Sequence, residues 1–141
     1  MSTEENKALL RRYLDEIVNK RNLAILDEFM APGLAKTLIN NGVIPDRFNQ
    51  SNSGFFYSFP DLQVIIEDVF AEGDKVGSRG YITGTHKGDF EGLAPTGKQV
   101  KFGYMDLWRV ENGKLVEFWP QVDYWGLMEQ LGLVPKPAQG G

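Results

Sequence analysis

Residues 99–122 read QVKFGYMDLWRVENGKLVEFWPQV, and the Asn112-Gly113 pair near their middle decides how the chain folds. Asn-Gly tolerates the positive φ angles of a tight hairpin turn, so Gln99–Glu111 and Lys114–Val122 are expected to run back on each other as two antiparallel strands. If the ladder has no bulge, Glu111 meets Lys114 and the rest of the register follows. Leu115 then faces Val110, Glu117 faces Trp108, Trp119 faces Asp106, Gln121 faces Tyr104, and Asp123 meets Phe102. Side chains alternate along a strand, so all of these share one face. That face is aromatic but carries Glu117, Asp106 and Asp123, which marks it as a pocket wall more than a plain core. The opposite face holds Val116, Leu107, Phe118, Met105, Val122 and Gly103. It is too apolar for water and calls for a cover.

Upstream, Gly73-Asp74 is a second turn signal, joining Leu62–Ala71 to Lys75–Lys87. The same arithmetic sets Asp68 opposite Arg79 and His86 opposite Asp61. Before residue 61 the pattern is helical. Ser2 and Glu5 have the spacing of a capping box, and Leu9, Leu10, Tyr13, Leu14, Ile17 and Val18 mark one face of a first helix. Asn22 is placed to cap a short second helix carrying Leu23, Leu26, Phe29 and Met30. It should stop at Ala31, because Pro32 biases its predecessor away from helix. Pro45 opens a third expected helix with Phe48, Phe55 and Phe56. Helices followed by a strand meander give the α+β class. One domain is expected over residues 1–134, with 135–141 as a tail. The helices are needed on the concave side of the sheet, so the outward face is expected to meet a second copy of the chain. Met105, Leu107, Phe118 and Val122 would lie near that homodimer contact.

Composition narrows the function. The 141 residues contain no cysteine and a single histidine, which excludes disulfides, thiolate metal sites and cysteine nucleophiles. Fifteen Lys and Arg against nineteen Asp and Glu give a net charge of −4, with no basic footprint for nucleic acid. The charged N-terminus lacks the apolar core of a signal peptide, and no apolar run is long enough for a membrane. The expectation is a cytoplasmic protein that needs no metal or cofactor and binds a small hydrophobic or aromatic molecule.

Several segments in a fixed order carry a resemblance. Gly84-Thr85-His86-Lys87-Gly88-Asp89-Phe90, with Gly92 and Pro95-Thr96-Gly97-Lys98, resembles the GTHxGxFxG…PTGK block of SnoaL-like polyketide cyclases. Trp108 to Trp119 resembles their next block, R-x-x-x-G-K-I-x-E-H-W, and Asp123 and Gln130-Leu131-Gly132 fit its end. Pro60-Asp61-Leu62 and Glu72-Gly73-Asp74-Lys75-Val76 also fit. The resemblance implies the nuclear-transport-factor-2-like cone, in which N-terminal helices pack on a strongly curved antiparallel sheet around a pocket. It also implies cofactor-free acid/base chemistry, such as intramolecular aldol ring closure, with the acid/base aspartate at Asp123. The histidine usual before the tryptophan is Phe118 here. On the unbulged register Phe118 points away from the pocket, so its change would bear on packing.

Such a closure needs a base for an α-proton and an acid for the new alkoxide. One carboxyl serves both if its pKa is raised toward neutrality. Asp123 beside Phe102, Trp119 and Trp125 could be desolvated enough, or could simply cap the short helix that follows; the resemblance favours catalysis. Asp106 is either a second pocket carboxylate or a hydrogen-bond acceptor for Trp119 or Tyr104. His86, Tyr104 and the Trp119 indole are candidate donors to developing enolate charge, although His86 could instead pair with Asp61 and pin the Gly-rich loop. Phe102, Tyr104, Trp108, Trp119, Gln121 and Phe56 are the expected substrate contacts. Arg109 and Glu117 read as surface or interface salt bridges. The segment 88–98 is either a lid or a connection; no helix follows its glycines, which argues against phosphate binding. Epoxide hydrolysis, ketosteroid-like isomerisation and non-catalytic binding of a small molecule are the other readings the pocket allows.

Overall fold

The computed structural model describes residues 2–44 and 54–134. The capping box forms: the Ser2 hydroxyl accepts from the Glu5 N–H and the Glu5 carboxylate from the Ser2 N–H, each at 3.1 Å. It starts helix α1 (Thr3–Tyr13), which loosens into a wider turn of π-helix over Leu14–Asn19. Leu10, Tyr13, Leu14, Ile17 and Val18 are buried, so the helical stripe faces the core as its spacing implies.

The next segment departs from expectation. Leu23–Glu28 is 3₁₀-helix, and the Asn22 side chain does not cap it but donates to Glu16 at 3.4 Å. Pro32 is not merely a stop. It is the first residue of helix α2 (Pro32–Asn40), with extended Ala31 as its cap residue. Proline favours the first helical position, where no N–H is needed, so the residue that ends one helix begins another. Of the third expected helix, Pro45 and Phe48 lie outside the described residues; Phe55 and Phe56 fall in the single turn α3 (Phe55–Ser58). The tail expected from residue 135 also lies outside them.

Strands β1 (Gln63–Glu72), β2 (Lys75–Thr85), β3 (Gln99–Glu111) and β4 (Lys114–Val122) form one antiparallel sheet in the order β1-β2-β3-β4, and helix α4 (Tyr124–Leu131) follows. Gly73, Asn112 and Gly113 take the positive φ angles that the two turns require. Both hairpins start in the expected register, with Glu72 opposite Lys75, Asp68 opposite Arg79 and Glu111 opposite Lys114.

Each hairpin then slips at a bulge. In β1, Glu67 is the extra residue of the ladder, because Ile66 meets Gly80 and Asp68 meets Arg79. The bulge drives the Ile65 carbonyl toward Gly80, where a Cβ would lie 1.9 Å from that oxygen, so glycine is required there. In β4, Val116 is extra: Leu115 pairs with Val110 but Glu117 pairs with Arg109. The slip coincides with a second pairing on the strand's other edge. Phe29–Ala31 runs beside it, the Leu115 N–H donates to the Phe29 carbonyl at 2.8 Å, and the Ala31 N–H donates to Leu115 at 3.0 Å.

A one-residue slip exchanges the faces of everything beyond it. Phe118 and Val122 therefore turn inward, opposite Trp108 and Tyr104, while Trp119 and Gln121 turn outward, opposite Leu107 and Met105. In the first hairpin the slip gives Asp61 to Thr85 rather than to His86: the Thr85 N–H and hydroxyl both donate to its carboxylate at 2.7 Å.

Candidate functional site

The concave side of the sheet, α1, α3 and the 88–98 connection surround a cavity of about 690 Å³. Its wall is largely aromatic, with Tyr13, Phe55, Phe56, Tyr104, Trp108 and Phe118 among the lining side chains. Trp108 stacks on Phe118 with ring centroids 4.0 Å apart and meets the edge of Tyr13 at 5.2 Å.

Into this wall β3 sets Asp106. The strand's alternation puts Tyr104, Asp106 and Trp108 on one face, and Asp106 is only 8% exposed. Its Oδ1 accepts from the Ser78 N–H at 2.8 Å and from the Ser78 hydroxyl at 2.6 Å, and its Oδ2 accepts from the Trp108 indole N–H at 3.0 Å. The Ser78 hydroxyl also lies 3.0 Å from the Tyr104 hydroxyl. Burial pushes the Asp106 carboxyl above the usual aspartate range, and the Ser78 and Trp108 hydrogen bonds offset only part of that. Burial likewise pushes Tyr104 up to about 12, partly opposed by the Ser78 bond and assisted by the Asp106 charge. Tyr13 is raised by burial and then by the same charge.

The structure divides the expected residues into two groups. Asp106, Tyr104, Trp108 and Phe56 line the cavity, and Gln121 borders it although its place in the ladder, opposite Met105, is on the outer face. Phe102 is buried core behind the wall, packed between Phe55 and Phe59. Trp119 is 44% exposed on the outer face, carried there by the Val116 bulge. Asp123 is exposed and outside the cavity lining; its Oδ1 accepts from the Gly126 N–H at 2.9 Å and so caps α4. Phe118, expected to face outward, is part of the wall.

His86 is fully buried but does not line the cavity. Its Nδ1 accepts from the Thr96 N–H at 3.2 Å and lies 2.9 Å from the Thr96 hydroxyl. It does pin the Gly-rich connection, through Thr96 rather than Asp61. Ser58 holds the other side: its hydroxyl donates to the Asp89 carbonyl at 2.6 Å, and its own carbonyl accepts from the Lys87 and Gly88 N–H groups. Phe90 is buried between those anchors. Arg109 and Glu117 form an ion pair on the outer face.

Ser78 and Tyr13 did not emerge from the sequence as site residues. Tyr13 read only as helix core. A signal for Ser78 existed, a hydroxyl at an inward position of β2 between Val76 and Gly80, but its meaning depends on the β2–β3 pairing that sets it opposite Asp106. Among the described residues no three His, Cys, Asp or Glu side chains stand together in a way that could hold a metal ion. No helix among them is long and apolar enough to cross a membrane.

The family described as SnoaL-like polyketide cyclase matches residues 8–131. The structure of AclR from Streptomyces galilaeus, provisionally described as a hydroxylase, superposes with a TM-score of 0.74 at 27% identity, over 99% of this chain and 93% of that one. A protein from Jannaschia sp. CCS1, provisionally described as a SnoaL-like polyketide cyclase, gives 0.73 at 24% identity, over 94% and 95% of the two chains. A polyketide cyclase, also so described provisionally, from Acidithiobacillus ferrooxidans gives 0.71 at 24%, over 96% and 100%. No curated protein sequence matches.

Proposed function

Since this chain belongs to the SnoaL-like polyketide cyclase family, we propose that it catalyses proton transfer on a small hydrophobic carbonyl substrate, with Asp106 as the acid/base. The observation that supports this reading most is a carboxyl buried among aromatic rings, held above the usual aspartate range, at the wall of a cavity of about 690 Å³. In an aldol closure the ionised carboxylate takes the α-proton, the resulting enolate carbon bonds to a second carbonyl carbon, and the carboxyl returns the proton to the new alkoxide. Nothing is consumed, so no cofactor is needed for this sequence.

Phe118 strengthens the assignment to a carboxyl. It occupies the position where the resemblance leads one to expect histidine, and it faces the cavity, so the change removes an imidazole from the wall rather than altering outer packing. His86 and Trp119, the other expected donors, do not line the cavity. Asp123, the first choice on resemblance alone, is an exposed cap. The test is turnover of a panel of β-keto esters, epoxides and ketosteroids by the parent and by Asp106→Asn. An Asn variant as fast as the parent would remove Asp106 from the mechanism. A parent that binds panel members without converting any would favour a binding module.

We also propose a homodimer through the outer face of the sheet. Of the expected four, Met105 and Leu107 stay on this face, while Phe118 and Val122 are turned inward; Ile65, Phe70 and Trp119 join Met105 there, and these four are each 43–52% exposed. Sedimentation at micromolar concentration should give a dimer, and Trp119→Lys should shift it toward monomer. A parent that sediments as a monomer would end this proposal.

A further inference from the structure

Ser78 belongs to no block of the family resemblance, yet it is the best-placed partner of Asp106. It is fully buried, and it offers Asp106 Oδ1 both its backbone N–H and its hydroxyl, at 2.8 and 2.6 Å. A serine hydroxyl has one hydrogen. With that hydrogen given to Oδ1, the 3.0 Å contact between Ser78 Oγ and the Tyr104 hydroxyl has one possible polarity: Tyr104 donates and Ser78 accepts. The order of donation is then Tyr104 to Ser78 to Asp106.

Two consequences follow by counting lone pairs. Oδ1 has two donors and is saturated, whereas Oδ2 has a single one, the Trp108 indole. Oδ2 is therefore the carboxylate oxygen with capacity left for a proton. Tyr104 has committed its hydrogen to Ser78, so its oxygen meets a ligand as an acceptor. That makes Tyr104 a poor donor to an enolate, the role its residue type first suggested, unless the Ser78 bond breaks.

We propose that Ser78 is the positioning residue of the site, locking Oδ1 and fixing the direction of the Tyr104–Ser78–Asp106 hydrogen bonds so that Oδ2 alone exchanges the proton and Tyr104 receives a ligand hydroxyl. The inference deepens the reading of Asp106 as acid/base and rests on it for its functional meaning.

Its test needs no substrate. The Trp108 indole N–H touches Oδ2 directly, so its ¹⁵N–¹H signal follows the protonation of Asp106 in the ligand-free protein; Asp106→Asn identifies it as the indole signal that stops titrating. Removing the hydroxyl in Ser78→Ala deletes a bond that favours the ionised form, so the midpoint should move to higher pH, and Ser78→Thr, which keeps the hydroxyl, should restore it. Tyr104→Phe should shift the midpoint in the parent but not in Ser78→Ala, because its effect passes through Ser78. An unmoved or lowered midpoint in Ser78→Ala would overturn the proposal, as would a Tyr104→Phe effect equally large in both backgrounds. Should Ser78→Ala not fold, Ser78→Cys, a weaker donor of similar shape, is read in the same way. The two readings fail separately. Full turnover in Asp106→Asn sinks the acid/base assignment and leaves the titration result standing, whereas lost turnover with an unmoved Ser78→Ala midpoint sinks the positioning role alone.

Discussion

Two aspartates seventeen positions apart show how little residue type says without surroundings. Asp106 lies mid-strand on the concave face, receives three donors from Ser78 and Trp108, and is pushed toward its protonated form by burial. Asp123 lies where β4 gives way to α4, is open to solvent, and accepts from the Gly126 N–H. Sequence resemblance placed the chemistry on the second; the geometry favours the first. A carboxyl becomes a useful acid/base when burial disfavours its charged form, and of the two only Asp106 is buried in the cavity wall.

The sharpest way to break this comparison is to make the same change at both sites. Asp106→Asn should lower turnover by about 10²–10⁴-fold, the usual worth of a positioned proton carrier, while Asp123→Asn should leave it unchanged. The panel assay on both variants reads this, and a loss confined to Asp123→Asn would reverse our assignment.

The next effect is on stability against pH. The folded Asp106 carboxyl has a raised pKa, so the folded chain holds this proton more tightly than the unfolded chain does. The contribution is fully present below the unfolded aspartate value of about 3.9 and is lost as pH rises through the folded value. Denaturant midpoints should therefore carry a term that declines with rising pH across that window, and Asp106→Asn should abolish it. A declining term that survives in Asp106→Asn would belong to another group.

The smallest effects belong to the cap. Asp123→Ala should lower unfolding stability by about 1 kcal/mol, and Asp123→Asn should change it by no more than a few tenths, because asparagine caps helices about as well as aspartate. Thermal or chemical denaturation distinguishes the two. A much larger loss in Asp123→Asn would mean that the carboxylate charge does more than accept the Gly126 N–H.

What the sequence determined by itself was local. The Ser2/Glu5 box, the two turns at Gly73-Asp74 and Asn112-Gly113, the strands they join and the buried stripe of α1 all depend on neighbours a few residues away, and all are found in the structure. The ordered blocks from Gly84 to Gly132 also carried the family. Tertiary structure decided which face each side chain serves. The Val116 bulge accompanies the pairing of Leu115 with Phe29 and Ala31, some eighty-five positions upstream, and that one-residue slip turned Phe118 into the cavity and Trp119 out of it. Ser78 became a site residue only when β2 lay beside β3 and set it opposite Asp106. Side-chain alternation has a period of two, so a single extra residue reverses every later assignment, and such a residue is tolerated where a distant segment pairs with the strand's other edge.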